Sequence, residues 1–448
     1  MPNKSFSIKT NQKIKPFKKT ITVDSDKSLS IRSFLIGSIC QNISKAENIL
    51  ESEDVFSTIE CLQKLGVKIK KLKPKEYLIF GKGVGSLFAK KNLKLDFGNS
   101  GTASRLLISI LSTTPNIEVI VTGDQSLKKR SMKKLITLME EFGAEFLPKN
   151  KFNFPLKLVS TEMPVGIECE VDVSAQLKSA VIFAGLNSFG NTSIIENKRS
   201  RDHTENMLKK NTNSIKIKEG KKRIIKVFGK RELNPFKIKV PGDPSSAAFF
   251  TALTLLNKKS SIKIKNVGLN PTRIGFFEIL KRQKAKIKFN NLKIANNEKS
   301  GDIIVNSCKL KPIKTPSHMY SRMVDEYPIL FVIAALIKGV SVFKNISELA
   351  SKESNRITEM QKVLRQIGIK SVYSKNELKI FGKGLINASN KRINVPNLGD
   401  HRICMSSFIL ALLTGAKIKI KNFETVFTSS PSFLKIMKTL GAKFEIQK

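Results

Sequence analysis

The chain has 448 residues, and its 80 Lys and Arg residues outnumber its 36 Asp and Glu residues by 44 charges. This length predicts two or three domains, and a hydrophobic fraction of 40% excludes a wholly disordered polycation. The longest apolar run, residues 329–337, is about half as long as a membrane-spanning helix requires. We therefore expect a globular protein without a membrane partner.

The basic residues are unevenly divided between Lys and Arg. Only 14 of them are Arg, the other 66 are Lys, and Trp is absent. The Lys residues are dispersed, and aromatic platforms on which bases could stack are scarce. We attribute the charge to an A+T-rich coding sequence and expect no nucleic-acid partner. A polyanion-binding protein remains the alternative, and under either interpretation small anions are attracted.

The Cys and His residues predict no metal site. Five Cys residues are widely spaced, no Cys-x-x-Cys occurs, and three His residues lie far apart. This spacing also gives no disulfide framework. The basic N-terminal segment lacks the apolar core of a signal peptide. We expect a cytoplasmic location.

One local pattern recurs along the chain: an apolar helix end, then Gly, then a short alternating strand. Gly suits a helix end because it accepts the left-handed backbone conformation. The copies are centred on Gly66, Gly143, Gly368 and Gly441, with two degenerate copies at Asn211 and Lys284. Six copies about 70–85 residues apart predict six similar α/β units.

A second series marks predicted helix starts, about 40 residues before each of these helix ends. Its members are Asp26-Lys27-Ser28, Asn99-Ser100-Gly101-Thr102, Ser174-Ala175-Gln176, Gly242-Asp243-Pro244-Ser245-Ser246, Asp325-Glu326-Tyr327-Pro328 and Gly399-Asp400-His401-Arg402. Helix N-termini leave N–H groups unpaired and carry partial positive charge, so they bind anions. Ordinary N-capping explains any single member. Four members also carry Arg nearby, which favours anion binding.

Arg is informative in a chain so poor in it, because its planar fork pairs two-fold with carboxylate or phosphate. The candidate anion ligands are Arg32, Arg105, Arg130, Arg201, Arg356 and Arg402. Carboxylates accompany them, since Asp325 precedes an apolar helix and Glu353 lies three residues before Arg356. Such carboxylates are either partners in surface salt bridges or groups available for proton transfer.

Together these motifs resemble one known family. The residues that carry the resemblance are Asp26-Lys27-Ser28-Leu29-Ser30-Ile31-Arg32, Asn99 to Arg105, Gly123-Asp124-Gln125-Ser126-Leu127, Ser174-Ala175-Gln176, Arg201-Asp202-His203-Thr204-Glu205, Pro241 to Ser246, Asp325 to Pro328, Lys352 to Arg356 and Asp400-His401-Arg402. From about residue 20 onward the chain resembles the 5-enolpyruvylshikimate-3-phosphate (EPSP) synthases, also called 3-phosphoshikimate 1-carboxyvinyltransferases.

The resemblance implies an α/β fold, a two-domain pseudo-sixfold inverse barrel of six βαβαββ repeats, three in each domain. The expected domains are residues 1–25 with 240–448, and residues 26–239, with chain crossings near residues 22–27 and near Val240. The active site is expected in the interdomain cleft, and the family suggests a monomer.

The implied reaction transfers the enolpyruvyl group of phosphoenolpyruvate to the 5-hydroxyl of shikimate-3-phosphate. It releases phosphate by addition and elimination through a tetrahedral intermediate. This is the sixth step of the shikimate pathway toward chorismate, and the family uses no metal and no organic cofactor.

The resemblance also implies a role for particular residues. Shikimate-3-phosphate is expected at Lys27, Ser28, Arg32, Ser174, Ala175, Gln176, Arg201, Asp325 and Lys352. Phosphoenolpyruvate is expected at Lys27, Gly101, Arg130, Gln176, Arg356 and Arg402. Asp325 is the expected base and Glu353 the expected acid, while Lys27 competes for a proton-transfer role.

Two positions bear on the inhibitor glyphosate. Thr428 stands where many members have a Lys that contacts phosphoenolpyruvate, as in a subset that binds glyphosate poorly. Some of that subset have Ala where this chain has Gly101, and the missing methyl predicts sensitivity, which we expect. The UDP-N-acetylglucosamine enolpyruvyl transferases are the nearest enzyme alternative. They use a Cys in a mobile loop of the first half, whereas residues 62–168 contain none.

Overall fold

The computed structural model of the chain describes residues 5–171 and 174–447. Its strands are β1 Ser7–Thr10, β2 Lys18–Thr22, β3 Ile43–Glu47, β4 Lys68–Lys73, β5 Glu76–Phe80, β6 Leu93–Asp96, β7 Glu118–Thr122, β8 Glu145–Leu147, β9 Leu156–Val159, β10 Glu168–Val171, β11 Asn191–Glu196, β12 Ile215–Lys218, β13 Arg223–Phe228, β14 Lys237–Lys239, β15 Ser261–Gly268, β16 Ile287–Ala295, β17 Glu298–Asn306, β18 Lys314–Thr315, β19 Gly339–Lys344, β20 Lys370–Ser374, β21 Glu377–Gly382, β22 Arg392–Val395, β23 Lys417–Ile420 and β24 Glu445–Gln447.

The helices alternate with these strands. They are α1 Lys27–Ile39, α2 Glu53–Lys64, α3 Gly101–Ser112, α4 Gln125–Lys128, α5 Lys133–Glu141, α6 Ala175–Asn187, α7 His203–Leu208, α8 Pro244–Leu256, α9 Gly275–Arg282, α10 Tyr327–Ala335, α11 Arg356–Gln366, α12 His401–Thr414 and α13 Phe433–Thr439. Four short 3₁₀ helices cover Ser317–Arg322, Val324–Glu326, Ser347–Ser351 and Phe423–Thr428.

The described residues form six four-stranded sheets that share one pattern of pairing. In each sheet a parallel pair is extended by two antiparallel neighbours, as in the order β6-β7-β9-β8. Three sheets are completed by strands that are remote in sequence. β14 pairs with β3, β2 pairs with β15, and β1 lies between β23 and β24. The two ends of the chain and its middle are therefore tied into sheets formed elsewhere.

The chain divides into two compact units. The first contains the chain up to Asp24, Pro241–Lys293 and the chain from Lys299 onward. The second contains Ser25–Val240 together with Ile294–Glu298. The chain thus passes from one unit to the other after Asp24, after Val240, after Lys293 and after Glu298.

Each unit has its own hydrophobic core around three central helices. These are α1, α3 and α6 in the second unit, and α8, α10 and α12 in the first. All six are buried on nearly every side, which is the behaviour of helices that are apolar all round. The outer helices α2, α5 and α11 instead bury one face. The motif-bearing N-termini belong to the central helices.

The predicted helix starts are confirmed. Five residues cap their helices, because each accepts a hydrogen bond from the backbone N–H of the second or third helical residue: Asp26, Ser100, Ser174, Asp243 and Asp400. The apolar helix predicted after Asp325 is α10, and a 3₁₀ turn precedes it.

The predicted helix ends are confirmed at five of six positions. The four Gly residues and Lys284 have positive φ, between 62° and 94°. Asn211 lies outside the left-handed region, and its side-chain oxygen accepts the N–H of Asn234 at 2.9 Å. The prediction at Asn211 was wrong because α7 already ends at Leu208. In the described part of the chain, every helix is too short or too polar to cross a bilayer.

Candidate active site

In the second unit, the start of α1 presents two cations. Lys27 lies in the first turn, and its Nζ is 2.8 Å from Asp54 on α2. Arg32 follows one turn later and is 4% exposed. Its guanidinium donates to the hydroxyls of Thr204 and Ser179 at 2.8 and 3.2 Å, and to the carbonyl of Ser28 at 3.1 Å. These three contacts hold a buried positive charge beside the helix N-terminus.

At the start of α3, Gly101 has no side chain and leaves space for two arginines. A Cβ on Gly101 would lie 2.8 Å from Nη1 of Arg105 and 3.1 Å from Nη1 of Arg130. Arg130 is oriented by Asn99 and Ser126, whose oxygens accept from its Nη2 at 2.8 and 3.2 Å. Gly101 therefore lets two guanidinium groups approach the helix N-terminus closely.

The N-terminus of α6 meets that of α3. Ser174 caps α6, Ala175 is its first residue, and Gln176 donates from Nε2 to the hydroxyl of Thr102 at 3.0 Å. Arg201 follows the buried Ser200 and precedes α7, and it is partly exposed. The contacts from Arg32 to Ser179 and from Gln176 to Thr102 bring the starts of α1, α3 and α6 together.

In the first unit, one buried arginine is matched by three carboxylates. Arg356 is 1% exposed. Its Nε, Nη1 and Nη2 lie 3.0, 3.4 and 2.5 Å from Asp400, Asp325 and Glu353, respectively. Burial by itself lowers the pKa of Arg356, but the three carboxylates outweigh burial and the net pKa is raised. The cluster unites the starts of α10, α11 and α12.

The surroundings of Arg402 differ from those of Arg356. It is 5% exposed in the first turn of α12, and its backbone N–H donates to Asp400 at 2.9 Å. Its guanidinium lies 5.9 Å above the ring of Phe249. Among the described residues no carboxylate forms an ion pair with Arg402, and its buried Nε has no hydrogen-bond partner. A buried cation of this kind favours an anionic ligand.

Lys352 and Glu353 lie outside the helix that begins at Arg356. α11 begins at Arg356 with Asn355 as its cap, so both residues lie in the preceding loop. Lys352 pairs with Glu348 at 3.0 Å. Glu353 nevertheless reaches Arg356, because the loop turns back on the helix start.

Thr428 lies at the end of a 3₁₀ helix and is 7% exposed. Its hydroxyl donates to the carbonyl of Thr425 at 2.8 Å. The segment that follows is held by the buried Asp24, whose Oδ2 accepts from the hydroxyl of Ser430 and the N–H of Ser432 at 3.0 and 2.9 Å.

Sequence reasoning missed the residues that orient these groups. Thr204 and Ser179 hold Arg32, Asn99 holds Arg130, and Asp54 pairs with Lys27. Thr204 and Asn99 were within quoted motifs, so their position was a usable signal, but Asp54 had none. In the described part of the chain, no three His, Cys, Asp or Glu side chains could together hold a metal ion. The arrangement as a whole is suited to small anions and to proton transfer by carboxylates.

Comparison with known sequences assigns the family. The profile described as EPSP synthase (3-phosphoshikimate 1-carboxyvinyltransferase) matches residues 11–437. The chain is 35% identical over 437 residues to the 3-phosphoshikimate 1-carboxyvinyltransferase of Paramagnetospirillum magneticum, covering 97% of both chains. It is 37% identical over 441 residues to that of Zymomonas mobilis, again covering 97% of both.

Solved structures agree. EPSP synthase from Acinetobacter baumannii superposes with a TM-score of 0.85 and 34% identity, covering 99% of this chain and all of that one. The enolpyruvyl transferase NikO from Streptomyces tendae gives a TM-score of 0.74 at 11% identity, with 99% and 98% coverage, which is a likeness of fold alone. These structures confirm the predicted inverse-barrel class, while the number of repeats stays a prediction.

Proposed function

The chain belongs to the EPSP synthase family, and we infer from this that it is a 3-phosphoshikimate 1-carboxyvinyltransferase of the shikimate pathway. It transfers the enolpyruvyl group of phosphoenolpyruvate to the 5-hydroxyl of shikimate-3-phosphate and releases phosphate. The observation that carries the assignment of its site is the buried guanidinium of Arg402 in the first turn of α12, with which no described carboxylate forms an ion pair. Both substrates are dense in negative charge, so they match such groups.

We assign shikimate-3-phosphate mainly to the second unit. Arg32 is buried among hydroxyl groups, and a phosphate can accept from it and from the N-terminal N–H groups of α6 at the same time. The proposed ligands are Lys27, Ser28, Arg32, Ser174, Ala175, Gln176 and Arg201, with Asp325 and Lys352 at its hydroxyl groups.

We assign phosphoenolpyruvate to the two arginines of the first unit and to the start of α3. Arg402 supplies an uncompensated charge, and Arg130 is held beside Gly101 by Asn99. Arg356 binds the ligand only by exchanging one of its carboxylates for the ligand's anionic group, because it is fully enclosed. Lys27 and Gln176 are assigned to both substrates.

Arg356 forms an ion pair with both carboxylates that are candidates for proton transfer. A cation 3.4 Å from Asp325 favours its ionised form, which is the form a base needs. Asp325 takes the proton of the 5-hydroxyl while the oxygen of that hydroxyl bonds to C2 of phosphoenolpyruvate. Glu353 is paired in the same way, so it becomes an acid when the substrate displaces it from Arg356 and it gains a proton.

Glu353 protonates the methylene carbon as the new C–O bond forms, which gives a tetrahedral intermediate with a methyl group. In elimination the C–O bond to phosphate breaks, the departing phosphate takes the proton held by Asp325, and Glu353 takes back a methyl proton as the double bond re-forms. Arg402 and Arg130 stabilise the charge on the departing phosphate. Lys27, held by Asp54 at 2.8 Å, is the remaining candidate for proton transfer. We further propose that the protein acts as a cytoplasmic monomer without a nucleic-acid partner.

Phosphate release from the purified protein tests the activity. It is expected to require both substrates and to fall at least 100-fold in Asp325→Asn, the usual range for a lost general base. Asp302→Asn is the matched control, because Asp302 lies in the same unit and pairs with Lys263 at 3.0 Å. Release without shikimate-3-phosphate, or full activity in Asp325→Asn, would contradict the proposal.

A further inference from the structure

Four charged side chains are buried together in the second unit, and the proposed chemistry uses none of them. Lys178 on α6 is completely enclosed, and its Nζ lies 2.8 Å from both Glu196 and Glu205. Arg223 on β13 approaches the same two carboxylates at 2.9 and 3.0 Å. These residues, here called the buried quartet, contain two cations and two anions and are neutral overall.

Glu196 and Arg223 favour their ionised forms inside the quartet. Burial raises the pKa of Glu196, but the charge of Lys178 and the hydrogen bonds from Lys178 and Ser200 outweigh it, so the net pKa is lowered. Burial lowers the pKa of Arg223, but Glu205 and Glu196 outweigh it, so that pKa is raised. Buried ion pairs often stabilise a fold no better than apolar side chains of the same volume. Stability alone therefore gives no reason for the quartet.

Three members of the quartet reach segments that carry proposed ligands of shikimate-3-phosphate. Lys178 lies one turn after Ser174, which caps α6. Oε1 of Glu196 accepts the N–H and the hydroxyl of Ser200 at 2.8 and 2.7 Å, one residue before Arg201.

Glu205, the second anion of the quartet, adjoins the residues that hold Arg32. Glu205 follows Thr204 on α7, and the hydroxyl of Thr204 accepts from Arg32 at 2.8 Å and contacts Ser179 at 2.8 Å. Through Lys178, the start of α6 is thus tied to the segment before Arg201 and to α7.

We propose that Lys178 and Glu196 are positioning residues, which hold the start of α6 and the Ser200–Arg201 segment in the register that binds the phosphate of shikimate-3-phosphate. The proposal rests on the assignment of that substrate to Arg32, Ser174 and Arg201. Among the described residues, no ion pair or side-chain hydrogen bond of the quartet reaches Gly101, Arg130, Arg356 or Arg402. Disruption of the quartet should therefore weaken the binding of shikimate-3-phosphate more than the binding of phosphoenolpyruvate.

The test compares three variants by calorimetric titration with shikimate-3-phosphate and by steady-state kinetics. Lys178→Met is expected to weaken binding of shikimate-3-phosphate at least tenfold, while the KM for phosphoenolpyruvate changes less than threefold. Ser200→Ala, which removes one bond to Glu196, is expected to weaken binding three- to tenfold. Glu219→Gln is the control, because Glu219 pairs with Arg223 at 3.0 Å from the solvent side and is 59% exposed. We expect it to bind as the wild type does.

A neutralised variant separates positioning from stability. Lys178→Met with Glu205→Gln removes one cation and one anion, so we expect it to recover thermal stability without recovering affinity. If it folds and binds shikimate-3-phosphate as tightly as the wild type, the proposal is overturned. If Lys178→Met alone does not fold, this variant and Ser200→Ala decide the question. A wild type that neither binds shikimate-3-phosphate nor releases phosphate would instead refute the proposed function.

Discussion

Replacing Arg402 by Met should make the unliganded protein more stable while destroying its use of phosphoenolpyruvate. Arg402 is 5% exposed, and no described carboxylate pairs with it. Enclosing an unpaired ion costs several kcal/mol, and the ring of Phe249 at 5.9 Å offsets about 1–2 kcal/mol of that. Met keeps most of the apolar contacts. The free energy of unfolding should therefore rise by about 2 kcal/mol.

The same substitution removes from the protein a charged group that can make two hydrogen bonds to phosphoenolpyruvate. That loss is about 3 kcal/mol, so the KM for phosphoenolpyruvate should rise about 100-fold. For a unit of about 230 residues, the gain in stability corresponds to about 4–8 °C in Tm. A gain in stability together with a rise in KM would indicate that Arg402 serves to bind the ligand and not to stabilise the fold.

Calorimetry with and without phosphoenolpyruvate checks both effects. At 100 times Kd the ligand should stabilise the wild type by about 2.7 kcal/mol and leave Arg402→Met unchanged at the same concentration. Arg402→Lys is the control, because it keeps the charge without the planar fork, and it should show an intermediate KM. An Arg402→Met protein that melts earlier without ligand, or is still stabilised by phosphoenolpyruvate, would refute the reasoning.

Three further predictions concern single positions. Gly101→Ala places a Cβ 3.1 Å from Nη1 of Arg130. Because the flexible tip of that side chain can move aside, we expect the KM for phosphoenolpyruvate to rise several-fold while Tm changes by about 2 °C or less. An unchanged KM would contradict this prediction. Burial raises the pKa of Cys61 to about 12, so about one thiol in 10⁴ is ionised at pH 8; iodoacetamide should leave activity intact and Cys61 unmodified by mass spectrometry. Asp400→Ala should lower the free energy of unfolding by about 3–5 kcal/mol because Arg356 loses a buried partner, whereas Asp400→Asn, which keeps the helix cap, should cost less in urea unfolding.

Much of the site was predictable because its chemistry is local. A helix start needs a capping side chain within three residues, so Ser100, Ser174 and Asp400 were recognisable without any tertiary contact. Helix ends needed Gly for an equally local reason. The scarcity of Arg made Arg356 and Arg402 stand out from a background of Lys.

Lys178 shows where sequence reasoning stopped. It was one Lys among 66, and its burial follows only from the packing of α6 against α3 and β11. A Lys inside an otherwise apolar helix was the one available signal. Its partner Glu205 belonged to a quoted motif, but nothing indicated that it faced inward.

The sequence by itself determined the class of fold, the helix starts and which residue types could bind anions, because each depends on neighbours within a few positions. Tertiary structure decided which arginine is neutralised and which is not. Asp325, Arg356 and Asp400 meet only because α10, α11 and α12 pack with their starts together. Asp400 lies 44 residues from Arg356, and contacts over such separations are set by packing, which no local pattern encodes.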